Sequence, residues 1–238
     1  MHKIRIYTDQ YLHSGSCLVL SDELKHRLQV VLRSSPGTLL YLFNGDGKEY
    51  TGTLTAAGTV ELSDVCRVEP LPKLRVHLVL SASKGERLDF SIQKSVELGV
   101  TSLSLLESER SMVKIPKDRI ARRMDHWQRI IIAACEQCGR CYMPTISKPL
   151  NLEETLATAV VDYRVILSPQ GNTALKHLKA PAGELMLLVG PEGGFSVAEL
   201  NLAQNAGFIP VCLGPRVLRT ETAPLAALAA IQALWGDF

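Results

Sequence analysis

A chain of 238 residues with 46% hydrophobic content is long enough for one large domain or two modest ones, each with a real core. Its formal charge of +2 is nearly neutral, so any site for a polyanion must be local rather than spread over the surface. The charged start Met1-His2-Lys3-Ile4-Arg5 is followed by no apolar run, and no stretch approaches the roughly eighteen apolar residues of a membrane span, so the expected location is the cytoplasm, with no membrane partner.

The first seventy residues read as β-rich. A short strand at Ile4–Tyr7 precedes a helix opened by Ser21, with Asp22 and Glu23 in its first turn where they complement the dipole. Leu24, Leu28, Val31 and Leu32 recur at helical spacing and predict one apolar face, ended by Ser34-Ser35-Pro36-Gly37. Strands at Thr38–Phe43, Glu49–Thr55 and Val60–Val68, joined by turns at Asn44-Gly45-Asp46-Gly47 and Ala56-Ala57-Gly58, predict a small barrel. Lys3, Arg5, His26 and Arg33 are candidate phosphate contacts there.

Two prolines in Glu69-Pro70-Leu71-Pro72-Lys73 mark a boundary, giving expected domains at residues 1–72 and 73–238. Beyond it the rhythm becomes strand–helix–strand. Val76–Ser81 is a continuous apolar run suited to a strand buried on both faces, Glu86–Leu98 is an amphipathic helix stopped by Gly99, and Thr101–Leu106 is the next strand. This is an open α/β domain. Seven Lys or Arg against two acids then crowd residues 110–129, with Trp127 among them. Such a helix suits phosphate and base stacking, or a solvated face with Trp127 in the core.

A helix over Leu152–Ala159 leads to a strand over Val160–Leu167, which stops at Ser168-Pro169. The strand Leu185–Val189 stops at Gly190-Pro191, and Ile209–Leu213 stops at Gly214-Pro215. Each break ends its strand, and ligands of open α/β sheets gather at the carboxyl ends of strands, so one site can draw on all three loops. Ser196-Val197-Ala198-Glu199 is a capping-box pattern, with Phe195 and Leu200 at staple positions, so the Gly193-Gly194 pair sits against a firmly started helix. No phosphate-loop or dinucleotide glycine fingerprint is present, which counts against ATP hydrolysis, phosphotransfer and nicotinamide redox. The last helix, Pro224–Trp235, has only Gln232 polar and must be buried, within the chain or against a second copy.

Six cysteines stand at 17, 66, 135, 138, 141 and 212. Cys135-x-x-Cys138-x-x-Cys141 lies on a helix end with no second ligand pair, and its spacing misses the usual iron–sulfur runs, so free thiols are expected and a metal is not.

The strings LLVGPEGGFSVAE at 187–199 and LGPRVLRTETAPLAAL at 213–228 resemble the motifs of the SPOUT-class RNA methyltransferases, and more narrowly the RsmE-type 16S rRNA uridine-N3 methyltransferases. Further matches are Ile92–Val100, Glu109-Arg110-Ser111, Ala133–Arg140, and in the first domain His26 with Val31-Leu32-Arg33, Pro36-Gly37 and Leu42–Gly45. The resemblance implies an α/β fold with a C-terminal trefoil-knotted SPOUT methyltransferase domain behind an N-terminal PUA-like β-barrel. It implies S-adenosylmethionine as donor, a homodimer, and as substrate one uridine in the decoding region of 16S rRNA in the small ribosomal subunit. The expected donor contacts are Leu167, Gly190, Pro191, Glu192, Gly193, Gly194, Leu213, Gly214, Leu218, Arg219, Thr220 and Ala223. Arg219 is the expected stabiliser of negative charge on the uracil, and Glu192 or Glu221 the expected proton acceptor. Expected RNA contacts are Arg5, His26, Arg33, Lys84, Arg87, Lys94, Arg110, Arg140 and Arg216. The rivals are a non-enzymatic RNA-binding protein working through the barrel and the basic helix, a phosphotransferase, which the missing phosphate loop counts against, and a member of the same family with a different target base or methyl position.

Overall fold

Two sheets organise the computed structural model, which describes residues 3–83, 85–111, 113–158, 161 and 163–238. The chain up to Leu71 forms one unit together with Cys135–Met143, and Pro72–Ala134 with Pro144–Phe238 forms the other.

The first unit contains β1 (Arg5–Tyr7), β2 (Cys17–Val19), α1 (Asp22–His26), β3 (Leu39–Phe43), β4 (Lys48–Leu54) and β5 (Thr59–Val68). The sheet order is β1-β3-β4-β5-β2, with β1 parallel to β3 and the remaining pairs antiparallel. Ile6, Leu18, Leu28, Leu40, Leu42, Tyr50, Leu54, Val60 and Leu62 meet in its core. Between β3 and β4 the chain turns at Gly47, whose φ is 90°. A Cβ there would lie 2.4 Å from the Tyr142 ring, so only glycine fits.

Ser21 caps α1 by accepting from the Leu24 N–H at 3.3 Å. The expected single apolar face does not persist. After His26 the chain passes into a π-helical turn, Arg27–Val31, in which the Leu32 N–H donates to the Arg27 carbonyl at 2.9 Å. The wider i→i+5 turn breaks the 3.6-residue rotation. Leu28 stays buried, while Val31 and Leu32 are 67% and 40% exposed.

A buried carboxylate ties this unit together. Glu49 on β4 is fully buried and accepts from Lys3 Nζ at 2.7 Å and Arg5 Nε at 2.6 Å, with Arg67 Nε 3.7 Å away. Burial pushes the Glu49 carboxyl up, but the hydrogen bonds and charges of Lys3 and Arg5 outweigh it and hold the group below its ordinary value of 4.5. The stabilisation is therefore complete above about pH 4.5 and fades as acid takes the pH down through the depressed folded value. Glu49→Gln should cost about 3–5 kcal/mol at neutral pH, because Arg5 is left buried without its counter-charge. It should also flatten the acid limb of the stability profile measured by urea unfolding. An unchanged profile would show that Glu49 does not carry that limb.

The second unit runs β6 (Arg75–Ser81), α2 (Glu86–Glu97), β7 (Ser102–Glu107), α3 (Ile120–Cys138), β8 (Thr145–Asn151), α4 (Leu152–Ala157), β9 (Arg164–Leu167), β10 (Thr173–Ala174), β11 (Glu184–Val189), α5 (Val197–Asn205), β12 (Ile209–Cys212) and α6 (Thr222–Trp235). The last four residues of α3 belong to the first unit. The strands form one parallel sheet in the order β10-β12-β9-β11-β6-β7-β8. Central strands are buried through both faces, as the apolar runs predict: Leu185–Val189 of β11 is buried throughout. The edge strands β8 and β10 lack such runs and escape a sequence reading. Pro149 sits within β8, as an edge permits, near a break in its register with β7.

The structure ends α4 at Ala157 and begins β9 at Arg164; Ala159 and Val160, expected in helix and strand, lie outside the described residues. Helix α6 buries Pro224, Ala227, Leu228, Ile231 and Gln232 but leaves Thr222, Ala226, Ala233 and Leu234 exposed. Its one polar interior residue has a partner: Gln232 Nε2 donates to the carbonyls of Leu98 and Gly99 at 3.2 and 3.4 Å, satisfying the end of α2. Among the described residues no helix is long and apolar enough to cross a membrane.

Candidate active site

The strands that end in proline breaks, β12, β9 and β11, are neighbours in the sheet and parallel. Their carboxyl ends therefore open on one edge, and the loops that follow enclose a cleft of about 670 Å³. That size suits a small-molecule ligand.

The loop after β9 is held down by the Ser168 N–H donating to the Val211 carbonyl at 2.9 Å. The loop after β11 is shaped more tightly. The Gly194 N–H donates to the Pro191 carbonyl at 2.9 Å, and Gly194 has φ 66°. A Cβ on Gly190 would lie 2.8 Å from the Phe195 ring, so the loop's first residue has no room for a side chain.

The capping box forms as its pattern predicts. Ser196 Oγ accepts from the Glu199 N–H at 3.2 Å, and Glu199 Oε2 accepts from the Ser196 N–H at 2.8 Å. The pattern does not reveal the second task of Glu199. Its other oxygen accepts from the Glu109 N–H at 2.8 Å, and the neighbouring Arg110 donates from Nη1 to the Gly193 carbonyl at 3.1 Å. One buried glutamate thus fixes both the start of α5 and the turn that carries Arg110 to the cleft.

The third loop runs from Leu213 to Glu221. The Arg219 carbonyl accepts from the N–H groups of Thr222 and Ala223, both at 2.9 Å, which anchors it to the start of α6. The two candidate glutamates differ sharply. Glu192 is exposed and ion-paired to Arg87. Glu221 has a buried carboxylate oxygen, Oε2, that finds no hydrogen-bond partner among the described residues. A buried acceptor is costly to leave unpaired, so this oxygen is open to a hydrogen from water or from a ligand.

All twelve residues expected to contact the donor line this cleft, as do Glu221, Arg87, Arg110 and Arg216. The sequence reading missed Ser168, Pro169, Gln170, Val189, Phe195, Leu200, Val211 and Val217, which also line it. Ser168-Pro169 and the staple pair Phe195 and Leu200 carried a signal, as neighbours of the turns; Val217 carried none.

The other residues expected to touch RNA lie elsewhere. His26 and Arg33 are exposed in the first unit, and Arg140 is half-buried there. Lys94 on α2 pairs with Glu97 at 2.8 Å. Lys84 lies outside the described residues. Arg5 is corrected: its guanidinium is buried and spent on Glu49 and on the carbonyls of Cys135, Glu136 and Arg140, so no phosphate can reach it. Of the two readings of Trp127 the core one holds: it is 2% exposed with its Nε1 donating to Asp89 at 3.2 Å, so it is not a stacking platform.

Cys135 and Cys141 are buried free thiols. Burial pushes the Cys135 thiol up to about 12, and pushes Cys141 up despite Arg67 and Arg5 beside it, so both are held as protonated thiols.

An edge-of-sheet cleft framed by glycine turns and arginines defines a small-molecule site that can face a polyanion. A family model described as the RNA methyltransferase domain matches residues 69–232. The chain belongs to that family. Among its relatives, the ribosomal RNA small subunit methyltransferase E of Buchnera aphidicola subsp. Acyrthosiphon pisum is 32% identical over 98% of this chain and 94% of its own. The Synechocystis enzyme of the same name is 36% identical over 88% of this chain and 70% of its own. Among solved structures, the ribosomal RNA small subunit methyltransferase E of Neisseria gonorrhoeae, bound to S-adenosyl methionine, superposes with a TM-score of 0.93 at 40% identity and full coverage of both chains.

Proposed function

We propose that this chain is the cytoplasmic enzyme that methylates N3 of one uridine in the decoding region of 16S rRNA, acting on the small ribosomal subunit with S-adenosylmethionine as donor. The observation that carries this reading is the cleft at the ends of β9, β11 and β12, in a chain whose full length matches relatives named for small-subunit rRNA methylation. The site fits such a donor. Leu167, Leu213 and Leu218 offer apolar walls for a base, and the Gly190–Gly194 turn lets backbone come close.

S-adenosylmethionine supplies an electrophilic methyl on a sulfonium. The chain's own tasks are to hold and align the partners and to take a proton from uridine N3, which is a poor nucleophile while protonated. Glu221 is the proton acceptor, Arg219 stabilises negative charge on the uracil oxygens, and Arg87, Arg110 and Arg216 steer the RNA backbone to the cleft. Glu192, bound to Arg87, orders its loop.

The same reading assigns residues 1–72 to a PUA-like barrel that contacts RNA through His26 and Arg33. It assigns residues 73–238, apart from the Cys135–Met143 segment that folds with the first unit, to a SPOUT domain whose C-terminal segment is threaded as a trefoil knot. The copies pair as homodimers, with the exposed side of α6, including Leu234, as part of the interface. Nucleoside mapping of 16S rRNA from a strain lacking the gene tests the reaction. One 3-methyluridine should disappear and return on complementation. Loss of a different methylated nucleoside would refute the N3 assignment.

A further inference from the structure

The charge of this chain is unevenly placed. Residues 110–129 carry seven Lys or Arg against Asp118 and Asp125, a net +5 in a chain whose total is +2. Arg119, on the 3-10 turn Lys117–Arg119, and Arg122, Arg123, His126 and Arg129 of α3 are all exposed. Arg119, Arg122, His126 and Arg129 follow one another at spacings of three and four residues, which stacks them along one stripe about 15 Å long. The opposite side is buried through Trp127, Ile131 and Ala134.

Asp89 of α2 fixes how the stripe is presented. One of its carboxylate oxygens accepts from the buried Trp127 Nε1 at 3.2 Å, and the other meets His126 Nε2 at 2.8 Å. Arg119, Arg122, Arg123 and Arg129 form no ion pair among the described residues, and Asp118 and Asp125 lie at the margin of the stripe. No large apolar side chain of α3 is exposed, which rules out insertion into lipid and docking in an apolar groove. Unpaired guanidinium forks in a row suit phosphate oxygens, which they engage two bonds at a time. The same basic run begins at Arg110 on the cleft and passes through Lys114 and Lys117.

Resting on the RNA methyltransferase reading, we infer that the exposed face of α3 is a phosphate-binding track that holds rRNA flanking the target nucleotide. Its contacts are to the backbone and carry register rather than sequence.

The test uses the full chain with Arg119→Gln, Arg122→Gln and Arg129→Gln combined. None of the three lines the cleft, so S-adenosylmethionine affinity by calorimetry should be unchanged. The plot of log affinity for a 16S rRNA fragment against log salt should flatten by about 2–3, since each lost phosphate contact removes about 0.7–0.9. KM for the RNA should rise while kcat holds. A slope equal to wild type with intact methylation overturns the track. Weaker binding to the assembled small subunit with an unchanged slope on naked rRNA also overturns it, in favour of a ribosomal protein. If the wild-type chain binds neither donor nor rRNA, the parent reading fails first and the track with it.

Discussion

Glu221→Gln is expected to lower kcat by about 10²–10⁴-fold, the usual contribution of a positioned general base, with donor affinity little changed. The expectation rests on the contrast between the two glutamates at the cleft. Glu192 already has its charge answered by Arg87, and both side chains are exposed, so removing that pair should lose only about 0.2–1 kcal/mol. Glu221 instead presents a buried oxygen with no partner among the described residues. The N3–H of a bound uracil would satisfy that oxygen and be the proton to remove. Single-turnover methylation of rRNA with Glu221→Gln and Glu192→Gln side by side separates the roles. The residual rate of Glu221→Gln should climb with pH as hydroxide takes over the proton. An inactive Glu192→Gln beside a near-normal Glu221→Gln would reverse the assignment.

Arg219→Ala should lower kcat by about 10²–10³-fold, the effect of deleting one donor aimed at developing negative charge. The Arg219 backbone is pinned by the start of α6 while its side chain stays exposed and lines the cleft, so its loss should leave the fold intact. Arg219→Lys should recover only part of the rate, because an ammonium lacks the planar fork. The defect should appear in kcat rather than in the KM for donor. Full methylation of small subunits by Arg219→Ala would remove Arg219 from the mechanism.

The parts of this molecule that could be read from sequence are those set by local chemistry. Pro169, Pro191 and Pro215 end strands wherever the strands lie, and Ser196 with Glu199 caps a helix by backbone geometry alone. Apolar runs announced β6 and β11 because both of their faces are covered. What was hidden depends on partners distant in the chain. Arg5 looks like any basic surface residue until Glu49 and the carbonyls at 135, 136 and 140 are folded around it. The π-helical turn at Arg27–Val31 is invisible to a 3.6-residue count. It coincides with Arg27 reaching Glu136 Oε1 and Oε2 at 3.1 and 2.5 Å. The inequality of Glu192 and Glu221 likewise follows from Glu192 having Arg87 opposite while the buried Oε2 of Glu221 has no hydrogen-bond partner among the described residues.

Glu136 also sets an order of events during synthesis. Besides binding Arg27, it accepts from the Tyr7 N–H at 3.0 Å, and it belongs to the Cys135–Met143 segment that completes the first unit. A ribosome that has made the strands up to Leu71 has not yet made these partners. At roughly 5–20 residues per second the nascent sheet waits about 4–14 s for them. The N-terminal unit therefore still has all its residues before the second, which also needs Pro144–Phe238, but it cannot close until β6 to α3 have been made.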